Sequence, residues 1–372
     1  MAEGRTRLNM GVALPCMLMT VPPTLSLIPD GDSGHAQWRA DLPRWRQLVQ
    51  ARWLHALLAG AVVDAAPAGA WHLFEVGEGP WISTQTPTIP GAIWLDVQRF
   101  EGGPLWNKVP DDLLLQQLAE LGIRHGTTVV LAGRKRVANA RAAHLLLYAG
   151  VSDVRLLDGG TQAWMLAGFP LTQDTPPKVL EPLASFGLTQ PACPQFLVDT
   201  VQVRALLQQS DATLVSIRTW GEFTGRTSGY DYIAARGDIA GARWGHAGAD
   251  GDVNDMSAFH TPTGLMLDTA SIEALWRSQD IRTHGHTTFY CGTGWRASLA
   301  FFYAWLMGWK GISVYDGGWL EWTNDPSNPT IDRQRLPSTQ PAHPGGRGST
   351  ASEALLWAGG PPPLGVRSEV GA

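Results

Sequence analysis

Two stretches of the chain carry the same succession of apolar and polar positions. Residues 127 to 168, TTVVLAGRKRVANARAAHLLLYAGVSDVRLLDGGTQAWMLAG, open on a β-branched run and pass through a glycine-bearing loop into apolar residues at helical spacing. A second strand pattern follows, then Asp-Gly-Gly and a helix start that bears a tryptophan. Residues 287 to 325, TTFYCGTGWRASLAFFYAWLMGWKGISVYDGGWLEWTND, repeat that order. Asp158, Gly159, Gly160 and Trp164 align with Asp316, Gly317, Gly318 and Trp322 at one common offset, which marks an internal repeat. Upstream of each copy, GAVVDAA (60–66) and ATLVSIRTWGEF (212–223) read as buried strands, while IPGAIWL (89–95) and DIAGARW (238–244) read as turns entering a further strand. Strands that alternate with helices require crossover connections, so the pattern predicts an α/β fold used twice, each copy a parallel sheet flanked by helices.

The expected organisation is an irregular N-terminal arm (1–44), one domain at 45–175, a Pro-rich linker (176–189), a second domain at 190–330, and a tail (331–372) rich in Pro, Gly, Ser and Thr that is expected to be disordered. A length of 372 residues agrees with two cores. The 28 basic against 33 acidic side chains give a net charge of −5, which offers no electropositive surface for nucleic acid. No stretch reaches the length of a membrane-spanning helix. Arg5 and Arg7 precede an apolar run from Leu8 to Val21, but Pro15 breaks it and no clean cleavage site follows. This is a weak export-like segment, and a cytoplasmic or a periplasmic location stays open.

Cys16, Cys193 and Cys291 are the only cysteines, far apart and odd in number, which excludes a zinc pattern or a disulfide framework read from spacing. Cys16 and Cys193 fall in irregular segments and are expected to be free thiols. Cys291 differs, because it ends the TTFY strand and the loop Gly292, Thr293, Gly294, Trp295 and Arg296 turns directly into a helix. At a helix N-terminus the unpaired amides and the dipole favour an anion, so a thiolate is favoured over a thiol there. Gly292 and Gly294 let the backbone curl around one point, and Arg296 is the candidate anion binder. The first copy keeps a glycine and positive charge in Ala132-Gly133-Arg134-Lys135-Arg136 but has no thiol; Ala132 is the expected counterpart of Cys291. A phosphatase cradle needs five residues between cysteine and arginine, and the arginine here comes one position too early for it.

The CGTGWR loop, the duplicated Asp-Gly-Gly-Trp region and the IPGA turn resemble the tandem rhodanese-like sulfurtransferases over about residues 45–330. The loop is similar to that of 3-mercaptopyruvate sulfurtransferases and, more closely, to that of bacterial multidomain rhodanese-like proteins. The resemblance implies two rhodanese-like domains, the first non-catalytic and the second catalytic through Cys291. The implied reaction moves a sulfane sulfur from a small anionic donor, thiosulfate or 3-mercaptopyruvate, to a thiol or cyanide acceptor through a persulfide, with no metal or organic cofactor. Arg218 and Arg226 resemble the family's donor-binding arginines, although Arg218 with Glu222 also reads as a structural ion pair. Two motifs depart from the family pattern: Leu-Val-Asp-x-Arg reads Leu214-Val215-Ser216-Ile217-Arg218, and Gly-His-Ile-Pro-Gly-Ala reads Gly237-Asp238-Ile239-Ala240-Gly241-Ala242. Both are expected near the mouth of the site.

Several residues keep two readings. Thr293 is either a hydroxyl donor to a persulfide or a local cap. Trp295 either walls the pocket or packs. Asp316 is expected to fix the turn at its own strand end, and His246 to be a satisfied loop histidine. At the level of the whole chain, the alternatives to an enzyme are a persulfide carrier that relays sulfur to a protein partner, and a structural tandem with an inert cysteine.

Overall fold

The structure, a computed structural model, describes residues 38–82, 87–172 and 179–334. Cys16, the expected arm up to residue 37 and the expected tail from residue 335 lie outside the described residues.

In the first half the chain forms β1 (Leu48–Val49), α1 (Ala51–Leu58), β2 (Trp71–Gly77), β3 (Ile93–Asp96), the hairpin β4 (Glu101–Gly102) and β5 (Asn107–Lys108), α2 (Asp111–Glu120), β6 (Thr128–Ala132), α3 (Arg136–Ala149), β7 (Asp153–Leu157) and α4 (Gly160–Leu166). The second half follows with β8 (Leu197–Val198), α5 (Thr200–Leu206), β9 (Ala212–Ser216), α6 (Trp220–Thr224), β10 (Asp238–Ile239), β11 (Arg243–Trp244), α7 (Thr269–Arg277), β12 (His286–Tyr290), α8 (Trp295–Leu306), β13 (Ile312–Tyr315), α9 (Gly318–Trp322) and β14 (Thr330–Ile331). Each half builds a five-stranded, all-parallel sheet, in the order β1-β7-β6-β2-β3 and, equivalently, β8-β13-β12-β9-β11. The repeat in the sequence is therefore a repeat of topology.

Period-two alternation sorts the strand residues between two apolar layers. In the first sheet Phe74, Val76, Val129, Leu131 and Val154 face the layer under α2 and α3, whereas Leu73, Val130, Ala132 and Leu157 face α1 and α4. In the second, Val215, Phe289, Ile312 and Val314 face α7 and α8, whereas Leu214, Tyr290 and Tyr315 face α5 and α9. The layers that contain α3 and α8 merge into one core, because these two helices pack against each other. Both are almost wholly buried, as helices between two sheets must be.

Two expectations change. GAVVDAA is not a strand: it follows the end of α1, Val62 is fully exposed, and the inner strand is Trp71–Gly77, whose run from Leu73 to Val76 is buried between β6 and β3. Residues 38–44 form only turns, as expected, but they are held against the body: Leu42 is buried, the rings of Trp38 and Trp45 lie 4.6 Å apart, and Arg39 donates to the carbonyls of Met266 and Leu267. The start of the expected tail is held as well, since Ile331 pairs with Asp238 and the Arg333 guanidinium stacks on Phe223 at 3.9 Å.

Polar ties cross between the halves in a matched pair. Asp158 accepts the Met266 amide at 2.9 Å, and Asp316 accepts the Lys108 amide at 2.7 Å. Asp316 thus braces the other half and does not fix only its own turn. Arg141 on α3, fully buried, reaches Glu101 at 2.8 Å and Asp316 at 2.6 Å. Removing its charge would leave two buried carboxylates without a counter-ion, and breaking such a pair costs about 3–5 kcal/mol. Arg141→Ala is expected to lower the urea midpoint by an amount corresponding to that loss, and an unchanged midpoint would show that the brace contributes nothing.

Candidate active site

Cys291 follows the last residue of β12, at the carboxyl edge of the second sheet, where open parallel sheets place their ligands. It lines a pocket of about 480 Å³ and is 1% exposed. Its loop is fixed from below. The amides of Trp319 and Leu320, in the first turn of α9, donate to the carbonyls of Cys291 at 2.8 Å and Gly292 at 3.1 Å. Gly318, at φ +56°, allows this approach, since a Cβ there would lie 2.5 Å from the Gly292 carbonyl oxygen. That is the structural reason for the second glycine of Asp-Gly-Gly.

From above, Gly292 donates its amide to the Tyr230 hydroxyl at 3.2 Å, and any side chain at Gly292 would meet the Tyr230 ring. Gly294, at φ +89°, caps α8, with its carbonyl taken by the Ser298 amide and hydroxyl. Among the described residues no acceptor within the protein engages the amides of Thr293 through Ala297, the donors that a helix start leaves over. Thr293 lines the pocket with Tyr232 as its polar neighbour, and burial pushes the Tyr232 phenol up to about 12. Trp295 also lines the pocket and donates its indole N–H to Glu101 at 2.7 Å.

The arginines do not act as expected. Arg296 borders the pocket, but its two terminal nitrogens each bond Glu222 at 2.8 Å, and it also donates to the Tyr230 hydroxyl. Burial alone would raise the Glu222 carboxyl; Arg296 and then Arg218 outweigh it and hold the group at about 2. Arg218 is fully buried and does not reach the pocket: it donates to the carbonyls of Gly237 at 2.7 Å and Ser228 at 3.1 Å, and lies over the Trp319 ring. Arg226 is exposed and pairs with Asp250 at 2.7 Å. Neither donor-binding assignment fits this geometry.

Nor do the two motif departures lie at the mouth. Ser216 donates to Asp238 at 2.8 Å, both fully buried, with Tyr290 also bonding Asp238 and Arg218 at 3.6 Å. The carboxylate expected on β9 is absent, and one on β10 occupies its neighbourhood. His246, buried at φ +67°, stacks near Trp244 at 3.8 Å. Cys193 is half-buried and free, with its thiol shifted up by burial.

The first half aligns differently from expectation too. Ala132 and Tyr290 occupy the same register position, so Gly133, not Ala132, corresponds to Cys291. The Thr161 amide donates to the Gly133 carbonyl as that of Trp319 does to Cys291. A Cβ at Gly133 would lie 2.4 Å from the Asn139 side chain and 2.5 Å from the Val76 carbonyl, so a cysteine does not fit there. This half contributes a wall instead: Glu101 and Trp106, from the β4–β5 hairpin, line the pocket above Cys291. Sequence reasoning missed both, and missed Tyr230 and Tyr232, because no spacing signal links them to the loop. Glu222 was read only as an ion-pair partner of Arg218; the Thr-x-x-Glu spacing of the capping box it forms with Thr219 is the local signal that marks it.

Burial pushes the Glu101 carboxyl up to about 7, against the pull of Arg141 and Trp295. As pH rises from about 4.5 to about 7 the unfolded chain loses this proton while the folded state keeps it, so stability from this group is lost across that window. The stability of the protein minus that of Glu101→Gln, from denaturant titrations at several pH values, is expected to fall over the window and then level. A flat difference would contradict the assignment.

The sequence profile of the rhodanese-like domain matches residues 50–167 and 199–325. Thiosulfate sulfurtransferase YnjE of Escherichia coli (strain K12) is 52% identical over 299 residues, 80% of this chain and 68% of that protein. A probable 3-mercaptopyruvate sulfurtransferase of Pseudomonas aeruginosa is 31% identical, over 65% of this chain and 83% of its own length. The sulfur carrier protein TtuD of Thermus thermophilus is 28% identical, over 64% of this chain and 83% of its own length. Among solved structures, that of YnjE superposes with a TM-score of 0.74 over 78% of this chain and 69% of that one. An anaerobic ergothioneine biosynthesis enzyme from Chlorobium limicola, solved with its substrate trimethyl histidine, gives 0.74 at 36% identity, over 78% of this chain and 71% of that one. Two matched domains, the shared topology and the level of identity lead to one conclusion: this chain belongs to the rhodanese-like family, as a tandem of two copies of its domain.

Proposed function

We propose that Cys291 carries the transferred sulfur in this sulfurtransferase, cycling between a thiolate and a persulfide. The observation that carries the reading is a cysteine lining a pocket, followed by a run of loop amides that no acceptor among the described residues engages. Amides in that position stabilise negative charge on sulfur at every stage, as an oxyanion hole does for oxygen. They take the role expected of the arginines, all of which have partners elsewhere.

With thiosulfate as donor, the thiolate attacks the outer sulfur, the S–S bond breaks, and sulfite leaves with the electron pair. With 3-mercaptopyruvate the C–S bond breaks, and the enolate of pyruvate takes the proton of the donor's own thiol. An acceptor thiol then attacks the outer sulfur of the persulfide. The S–S bond to Cys291 breaks, its electron pair returns to the Cys291 thiolate, and the acceptor leaves as R–S–SH with the proton it brought. Cyanide accepts in the same way and leaves as thiocyanate. The names of the relatives support both donors.

Steady-state rates with the two donors, read as thiocyanate formed from thiosulfate and cyanide and as pyruvate released from 3-mercaptopyruvate, test the proposal. Cys291→Ser is expected to lower whichever rate is measurable by roughly 10^3-fold or more, as loss of a covalent nucleophile does. Retained turnover in the variant would overturn the assignment. The carrier alternative, which TtuD's name keeps in view, requires that neither donor turn over while Cys291 takes up sulfur from a protein persulfide.

A further inference from the structure

Sulfur transfer to a thiol moves a proton as well as a sulfur atom. A thiol of the cysteine type, with a pKa of about 8.5, is mostly protonated at neutral pH, whereas the species that attacks a sulfur is the thiolate. The loop amides beside Cys291 are donors and cannot take the proton. Among the described residues that line the pocket there is no histidine or lysine. Arg296 is committed to Glu222, and Glu78 pairs with Lys135 at 2.8 Å. Burial raises the Tyr230 phenol and pushes that of Tyr232 up to about 12, so both keep their own protons near neutral pH. Asp231 and Asp252 are exposed, and any proton they take is shared with water.

Glu101 differs from all of these. Its side chain is 1% exposed, yet it lines the pocket. One oxygen carries its contacts: Oε1 accepts from Nε of Arg141 at 2.8 Å and from the indole N–H of Trp295 at 2.7 Å, while no donor among the described residues engages Oε2. Trp295 opens α8 at the end of the Cys291 loop, so its indole holds the carboxyl against that loop. The positive charge of Arg141 is divided between Glu101 and Asp316, and Lys108, opposite Glu101 in the hairpin, pairs with Asp111. Glu101 is therefore oriented by its partners without being neutralised by them. Desolvation, outweighing Arg141 and Trp295, brings its carboxyl to about 7, where a group accepts and returns a proton with least loss.

We infer that Glu101 is the general acid–base of the acceptor half-reaction, relaying the proton of a thiol that enters the pocket in its neutral form. Oε2 takes the proton of R–SH as its sulfur attacks the outer sulfur of the persulfide anion. The S–S bond to Cys291 breaks and its electron pair stays on the Cys291 thiolate. Glu101 returns the proton to the transferred sulfur, so R–S–SH leaves with the proton it brought and the carboxylate is restored. The half without a cysteine thereby supplies a catalytic residue. The inference rests on the reading of Cys291 as the sulfur carrier, and adds to it the proton path and the class of acceptor.

The protein is first loaded with thiosulfate or 3-mercaptopyruvate, and a one-sulfur gain on the Cys291 peptide is read by mass spectrometry. Rapid-quench discharge in mildly alkaline buffer then compares 2-mercaptoethanol, whose proton must move, with sulfite, which accepts the sulfur as a dianion and moves none. Glu101→Gln is expected to slow discharge by 2-mercaptoethanol about tenfold or more, beyond any effect on sulfite, and Glu101→Asp to recover part of that loss. A substitution that only disturbs packing slows both acceptors together. In the unmutated protein the thiol reaction is expected to be slower in D2O than in water and the sulfite reaction to be insensitive, a comparison that needs neither variant to fold. Equal slowing of the two acceptors, no slowing, or the same isotope response with both would overturn the inference while Cys291 keeps its sulfur. Absence of the one-sulfur gain would overturn the reading of Cys291 and this inference with it.

Discussion

The carboxylate of Glu222, clamped between two buried guanidinium groups, is the constraint from which the geometry of the site follows. Arg296 belongs to the first turn of α8, Arg218 follows β9, and Glu222 lies in α6, so one bidentate pair and one longer contact between fully buried side chains tie three elements together. Arg296 also bonds Tyr230, and Tyr230 receives the Gly292 amide, so the arrangement extends from the ion pair to the residue beside the thiol. The positive charge in the loop has a structural role, and in the proposed mechanism the anion-binding role falls to the backbone. This is consistent with the cost of a buried arginine, which demands partners of its own before it can serve a ligand.

The first half shows what happens to a copy of the fold without this arrangement. Glu75 occupies the register position of Ser216, is buried, and is bonded by Thr161; burial raises its carboxyl. Gly133, the counterpart of Cys291, has a backbone turn that leaves no space for a side chain. The space that holds the Cys291 side chain in one half is taken by the Asn139 side chain and the Val76 carbonyl in the other. Its hairpin gains another role, carrying Glu101 and Trp106 across to the partner copy's pocket. The merged core of α3 and α8 and the brace of Arg141 make that contribution rigid.

Ser216 and Asp238 illustrate how a motif read one residue at a time can mislead. Each looks like a loss, of an aspartate from one strand and of a histidine from a turn. In space they are partners, 2.8 Å apart and enclosed, with Arg218 and Tyr290 completing the set. A buried polar network tolerates exchange of its members between neighbouring strands as long as every member stays satisfied.

Much of this protein was legible along the chain because local order and periodicity are properties of consecutive residues. The duplication, the parallel sheets, the glycine-rich loop after the TTFY strand and the position of Cys291 at its start all follow from patterns within a few dozen residues. The error at GAVVDAA has the same origin, since a short apolar run does not reveal whether sheet neighbours exist to bury it. Which charges remain available was decided only by the tertiary structure. Arg218, Arg226 and Arg296 look alike in sequence, yet each meets a carboxylate or carbonyl from another element, and Glu101 and Trp106 reach a cysteine nearly two hundred positions away. Coulomb and cation–π interactions act through space, so the charge and the walls of the pocket had no signature until the two halves were folded against each other.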